Sequence, residues 1–219
     1  MNVPTIAAVV PMYIELAPAT LPVAGTPSAL LRDYLGILAF HFQKPGADRS
    51  ASAISDAIGQ LPGLLMQGTS QSHDQLTLAP THPQAPASGL AGIVAGVWGI
   101  VSSSPRLLPL TQPITGYLAA GDPTAPGGSS LSVSLIVLER PVAGPPMLGH
   151  TELALTLRQN PPSPPVAPTR RLSVDWSRTT YTVVDAELAA TQQFADQLRQ
   201  QGLIADLAKT TGYLLVALP

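Results

Sequence analysis

The chain has 219 residues, of which 45% are hydrophobic and only 11% charged, with a net charge of −2 and no cysteine. That length supports one sizeable core. The slightly acidic balance excludes a nucleic-acid binder that neutralises phosphates through a basic stripe, and the lack of cysteine excludes disulfide frameworks, thiolate metal sites and thiol nucleophiles.

The first residues, MNVPTIAAVVPMYIELAPATLP, form an apolar run with no basic segment ahead of it, broken by Pro4, Pro11 and Glu15. It is a poor match to a secretory signal and reads as a strand entering the fold, with Pro11 forcing an edge position or a bulge. Next comes TPSALLRDYLGILAFHFQ. Thr26 suits an N-cap and Pro27 the first turn, and Leu31, Tyr34, Leu35, Leu38 and Phe42 recur at helical spacing until Lys44-Pro45-Gly46 stops the run. A second helix is expected over residues 52–61, with Ile54, Ile58 and Leu61 on one face and Pro62-Gly63 as its end.

Gln75-Leu76-Thr77-Leu78 reads as a short strand. The most apolar stretch, SGLAGIVAGVWGIVSSS, places Gly89, Gly92, Gly96 and Gly99 on one helical face. It is shorter than the roughly 20 residues of a membrane-spanning helix, so a buried helix packed closely on another backbone is expected, with a bulged strand as the alternative.

From Ser129 the apolar period changes to two. SSLSVSLIVLERP and HTELALTLRQ alternate leucine and valine with polar residues and should pair antiparallel, and RLSVDWS supplies a third strand. Between the last two lies QNPPSPPVAPTRR, whose prolines cannot join a ladder. Pro165 to Arg170 fits a proline-rich docking ligand of the SH3 type, but a stiff strand-to-strand arm explains the tract without a partner. Asp185 is placed to cap a helix through AELAATQQFADQLRQQ, with Leu188, Ala195 and Leu198 inward and Gly202 as its stop. TGYLLVALP reads as a buried final strand. The expected fold is therefore α+β: an antiparallel sheet from the C-terminal half packed with helices from the N-terminal half and one late helix. The expected organisation is a single domain over 1–219, with a helix-rich 1–110 and a sheet-rich 111–219 as its possible halves.

Chemistry is sparse. His41, His73, His82 and His150 form no HExxH or HxH pattern, and no GxSxG elbow, GxxxxGK loop or GxGxxG turn is present. His41 sits where a cation complements a helix C-terminus. His73-Asp74 is the one adjacent pair with acid–base potential. No catalytic, cofactor-binding or metal-binding residue is assigned, and no cofactor is expected. Between Gln75 and Leu138 the only charged residues are Arg106 and Asp122. Surface so poor in charge is expected to be covered by protein. The reading that follows is a non-enzymatic structural subunit of a large assembly, a virus or phage particle protein located in the virion or host cytoplasm. Its partners would be copies of itself and other subunits, with no nucleic-acid contact and no membrane span. The alternative is a small-molecule enzyme or binding domain with a pocket near His73, Asp74 and His82.

Overall fold

The computed structural model describes residues 7–8, 11–17, 23, 25–78, 128–140, 144–159 and 169–217. The glycine-rich run of residues 88–101, the prolines at 161–168 and His82 lie outside them, as does most of the charge-poor stretch 75–138.

The fold is α+β. In chain order the elements are β1 (Ala7–Ala8), β2 (Met12–Ala17), α1 (Pro27–Phe42), α2 (Ala51–Gly59), β3 (Leu64–Leu78), β4 (Ser129–Glu139), β5 (Met147–Gln159), β6 (Arg170–Val183), α3 (Leu188–Gln200) and β7 (Tyr213–Ala217). Single 3-10 turns occupy Asp185–Glu187 and Leu207–Lys209. The strands form one sheet in the order β3-β6-β5-β4-β2-β7, with β1 also on β4.

β4, β5 and β6 are sequential neighbours in the sheet, as their alternation predicts. The contacts Gln67–Thr182, Thr69–Thr179 and His73–Asp175 descend along β6 as they ascend β3, and Ser130–Thr156 with the approach of Gly149 to Val137 does the same for β4 and β5, so both pairs are antiparallel. The sheet as a whole is mixed, because β1 and β2 lie parallel to β4 and β7 lies parallel to β2. The expected α+β arrangement of a C-terminal sheet packed with helices is the one observed, with the parallel pairs of β1, β2 and β7 added to it. Parallel neighbours need a long crossover between them, and α1, α2 and β3 fill the one from β2 to β4. Ala8 of β1 pairs with Ser132, and Met12 of β2 with Leu135.

α1 begins as expected: the Thr26 hydroxyl accepts from the Ala29 amide at 3.3 Å and Pro27 opens the helix. α2 starts one residue before the expected position, because Ser50 caps it by accepting from Ala53 N–H. The late helix differs more. Asp185 does not cap it; a 3-10 turn comes first, and Glu187 stands at the N-cap position without a side-chain bond. Thr191 instead turns its hydroxyl back onto the Glu187 and Leu188 carbonyls. Thr191 and Ala195 are its buried residues, while Leu188 and Leu198 are only partly covered.

The chain divides into two units. Unit 2, comprising 10–70, 133–152 and 177–219, holds the larger core. There Leu31, Tyr34, Leu35, Leu38 and Phe42 of α1 and Ile54 and Ile58 of α2 meet Tyr13, Ile136, Leu138 and Leu148 of the sheet. Unit 1 comprises 1–9, 71–132 and 153–176, and buries Leu131, Leu153, Leu155, Leu157, Leu172 and Val174.

Two sequence expectations about strands are revised. β3 is fifteen residues long rather than the four of Gln75–Leu78. Its Gln, Thr and Ser content lacks the apolar alternation that marks a half-buried strand, because nearly all of it is exposed. β7 forms as expected, but at the end of the strand order, and Leu215 is 54% exposed rather than buried.

Candidate functional site

His73 and Asp74 were the pair with acid–base potential. They are consecutive residues of β3, so their side chains leave opposite faces of the strand. His73 Nδ1 meets Asp175 Oδ1 of β6 at 2.6 Å, and His73 Nε2 lies 2.6 Å from the Gln75 amide. Arg171 in turn donates to the Gln75 carbonyl oxygen. Asp74 accepts from the Trp176 indole N–H at 3.0 Å. The two residues therefore do not share a site, and each is occupied by a β6 partner. The His73 and Asp175 side chains are 48% and 65% exposed. Further along the same two strands, Gln67 donates to the Thr182 hydroxyl at 2.7 Å and Thr69 meets Thr179 at 3.1 Å. The outcome is a polar strand held to β6 by one side-chain bridge after another, with its outer edge unpaired among the described residues.

Two buried polar clusters were missed by the sequence reading. In the first, Glu15 of β2 is 1% exposed and accepts from Arg140 at 2.5 Å, from the Tyr213 hydroxyl at 2.7 Å and from Arg32 Nε at 3.2 Å. Strand register makes this set: Glu15 pairs with Leu138, and Arg140 follows two positions later on the same side of the chain. On the other flank Tyr213 heads β7, and its phenol is pushed up to about 12 by burial and then by the neighbouring carboxylate. One carboxylate facing two guanidinium groups is a closed electrostatic unit. It joins four parts of the chain, with Glu15 and Arg140 buried and Arg32 36% exposed at its margin. Its only sequence signal was an acid inside the apolar run MYIELA.

In the second, His150 of β5 is 5% exposed, with Nδ1 3.0 Å from the Ser55 hydroxyl of α2 and, among the described residues, no partner on Nε2. Desolvation pushes its imidazole down to about 4. A serine beside a histidine invites a catalytic reading, but the ring is 5% exposed and none of its hydrogen bonds among the described residues is to a carboxylate. Near it, burial raises the Glu139 carboxyl although Arg178 pairs with it. His41 lies exposed in the last turn of α1, where its ring meets Phe42 edge-on. Among the described residues no group of three or more His, Cys, Asp or Glu side chains is placed to hold a metal ion. No helix among them is long and apolar enough to cross a membrane.

No family model matches this chain, and no curated protein does. Solved structures resemble it. The structure of the Evf virulence factor aligns over 97% of this chain and 91% of its own length, with a TM-score of 0.50 and 10% identity. A delta-endotoxin aligns over 84% of this chain and 87% of its own, with a TM-score of 0.44 and 10% identity. The activated Cyt2Ba monomer from Bacillus thuringiensis subsp. israelensis aligns over 81% of this chain and all of its own, with a TM-score of 0.42 and 11% identity. The likeness to the Evf structure is one of fold, and it overturns the expectation of a virus or phage particle subunit. The physical premise of that expectation also weakens where it is visible. Leu131, Val133, Leu135, Ile136, Val137 and Leu138, at the end of the charge-poor stretch, are at most 1% exposed in the isolated chain. They are buried within the chain itself, Ile136 and Leu138 against the core of α1 and α2.

Proposed function

We propose that this chain is a non-enzymatic, virulence-type protein that acts on a host cell by contact, as self-associated copies. The observation that carries the reading is the near full-length fold likeness to the Evf virulence factor. The side chains that a catalytic reading would need support action by contact instead. His73 and Asp74 are parted onto two faces, and His150 is enclosed. The long, exposed β3, with a single acid and no lysine or arginine, supports self-association.

The test is to apply the purified chain, fluorescently labelled, to cultured insect, mammalian, plant and fungal cells. Dose-dependent binding with loss of viability in at least one cell type is expected, and the doubly substituted His73→Ala/Asp175→Asn protein should keep it. Absence of binding and effect on every cell type overturns the reading. Loss of the effect in the double variant would return the His73–Asp175 pair to a chemical role.

A further inference from the structure

We infer that the free edge of β3 is a self-pairing surface, on which a second copy of this chain adds its own β3 antiparallel about a two-fold axis at Gln71. The inference deepens the self-association proposed above and rests on it.

Three observations carry it. First, the edge is unprotected. Natural sheets guard edge strands with lysine, proline, bulges or brevity. β3 spans fifteen residues, LLMQGTSQSHDQLTL, with no lysine, arginine or proline. Among the described residues it pairs on one side only, with β6. Second, it is open on both faces. Every residue from Leu65 through His73 is exposed, and adjacent Leu65 and Met66 are 55% and 59% exposed, although they point to opposite faces. An edge strand that shows large apolar groups on both faces matches a partner strand better than water.

Third, the strand is complementary to itself. Around Gln71 the sequence runs from polar to apolar in both directions. Antiparallel pairing of two copies in that register sets Met66 against Leu76, Leu65 against Thr77, Thr69 against His73 and Ser70 against Ser72. Asp74, the strand's one acid, falls opposite Gly68, so no like charges meet. His73, Asp74 and Gln75 already bond to β6 side chains or to each other, which leaves the outer backbone to supply the new ladder. A fully paired strand of this length adds on the order of fifteen interstrand hydrogen bonds. Strand addition of this kind derives its affinity from the main chain and its register from the side chains.

The absence of cysteine makes the register directly testable, since every introduced thiol is unique. Under mild oxidation Gln71→Cys should cross-link to its own copy. Leu65→Cys and Thr77→Cys should each remain uncross-linked alone, yet join when mixed. The Ser70→Lys/Ser72→Lys protein sets lysines directly opposite each other twice per pair. It should raise the dimer dissociation constant, measured by sedimentation equilibrium, by about tenfold or more. Mixing it with Ser70→Glu/Ser72→Glu should restore association, and circular dichroism of each variant should match that of the parent. A monomer up to the solubility limit overturns the inference. So does a dimer indifferent to the lysines, or a Gln71→Cys chain that does not cross-link. The cell assay separates the two proposals: a dimer inactive on every cell type leaves this surface standing and removes the virulence reading, and a monomer active on cells does the reverse.

Discussion

Two buried side chains put the sequence's scarce polar groups to structural use. Glu15 holds Arg140 and Arg32 together, and removing one member of such a set strands the opposite charge in a dry site. Glu15→Ala is expected to lower unfolding stability by about 3–5 kcal/mol, read from urea denaturation. His150 sets the acid response. In the unfolded chain it titrates near 6.5, and in the fold burial holds it at about 4. The unfolded state therefore takes up a proton that the folded state refuses. Its contribution is fully present above pH 6.5 and is lost as pH falls towards 4, amounting to about 3 kcal/mol over that window. Denaturation midpoints at pH 7, 5.5 and 4.5 should show the fall, and His150→Leu should flatten it. Neither role was legible beforehand. A histidine in GHTEL and a glutamate in MYIELA state their residue type and nothing of their partners, which come from α1, α2, β4 and β7.

At the scale of elements, local signals served well where neighbouring residues supply the interaction. Thr26 and Pro27 start α1 because capping is settled within one turn. The alternation at 151–157 of β5 and 172–174 of β6 is read correctly because a strand with one buried face repeats every two residues, whereas β4 is buried on both faces from 133 to 138. β3 was read as four residues instead of fifteen because a strand that buries neither face needs no such repeat. Close approach is a further non-local effect. Gly36 lies in α1 where an added methyl would sit 2.6 Å from Ile204 Cγ2 and 3.1 Å from the Ala205 carbonyl oxygen, beside the bond from Ala205 N–H to the Gly36 carbonyl. Gly36→Ala favours the helix locally but should cost about 1–3 kcal/mol net, visible as a lower melting temperature. A larger side chain there should push the 203–206 segment off the helix.

At the scale of the whole molecule, exposed side-chain pairs should matter little. His73→Ala/Asp175→Asn removes a pair that is about half exposed, and its unfolding free energy should change by less than about 1 kcal/mol. A larger loss would mean that the β3–β6 bridges carry stability which solvent exposure does not suggest. The inference of a particle subunit failed at this scale. Charge scarcity says that a surface must be covered without saying by what, and the covered end of the charge-poor stretch is covered from within: β4 lies between β5 and β2, with residues 133–138 buried on both faces.

What the sequence determined by itself was the set of interactions that close over a few residues: the caps of α1, the two-residue period of the C-terminal strands, the α+β class and the want of any motif for known chemistry. The tertiary structure alone decided the parallel placement of β2 and β7, the separation of His73 from Asp74 and the partners of Glu15 and His150. Strand order and register join residues more than a hundred positions apart, and the free energy that selects them depends on the packed neighbours rather than on the pattern of any one segment.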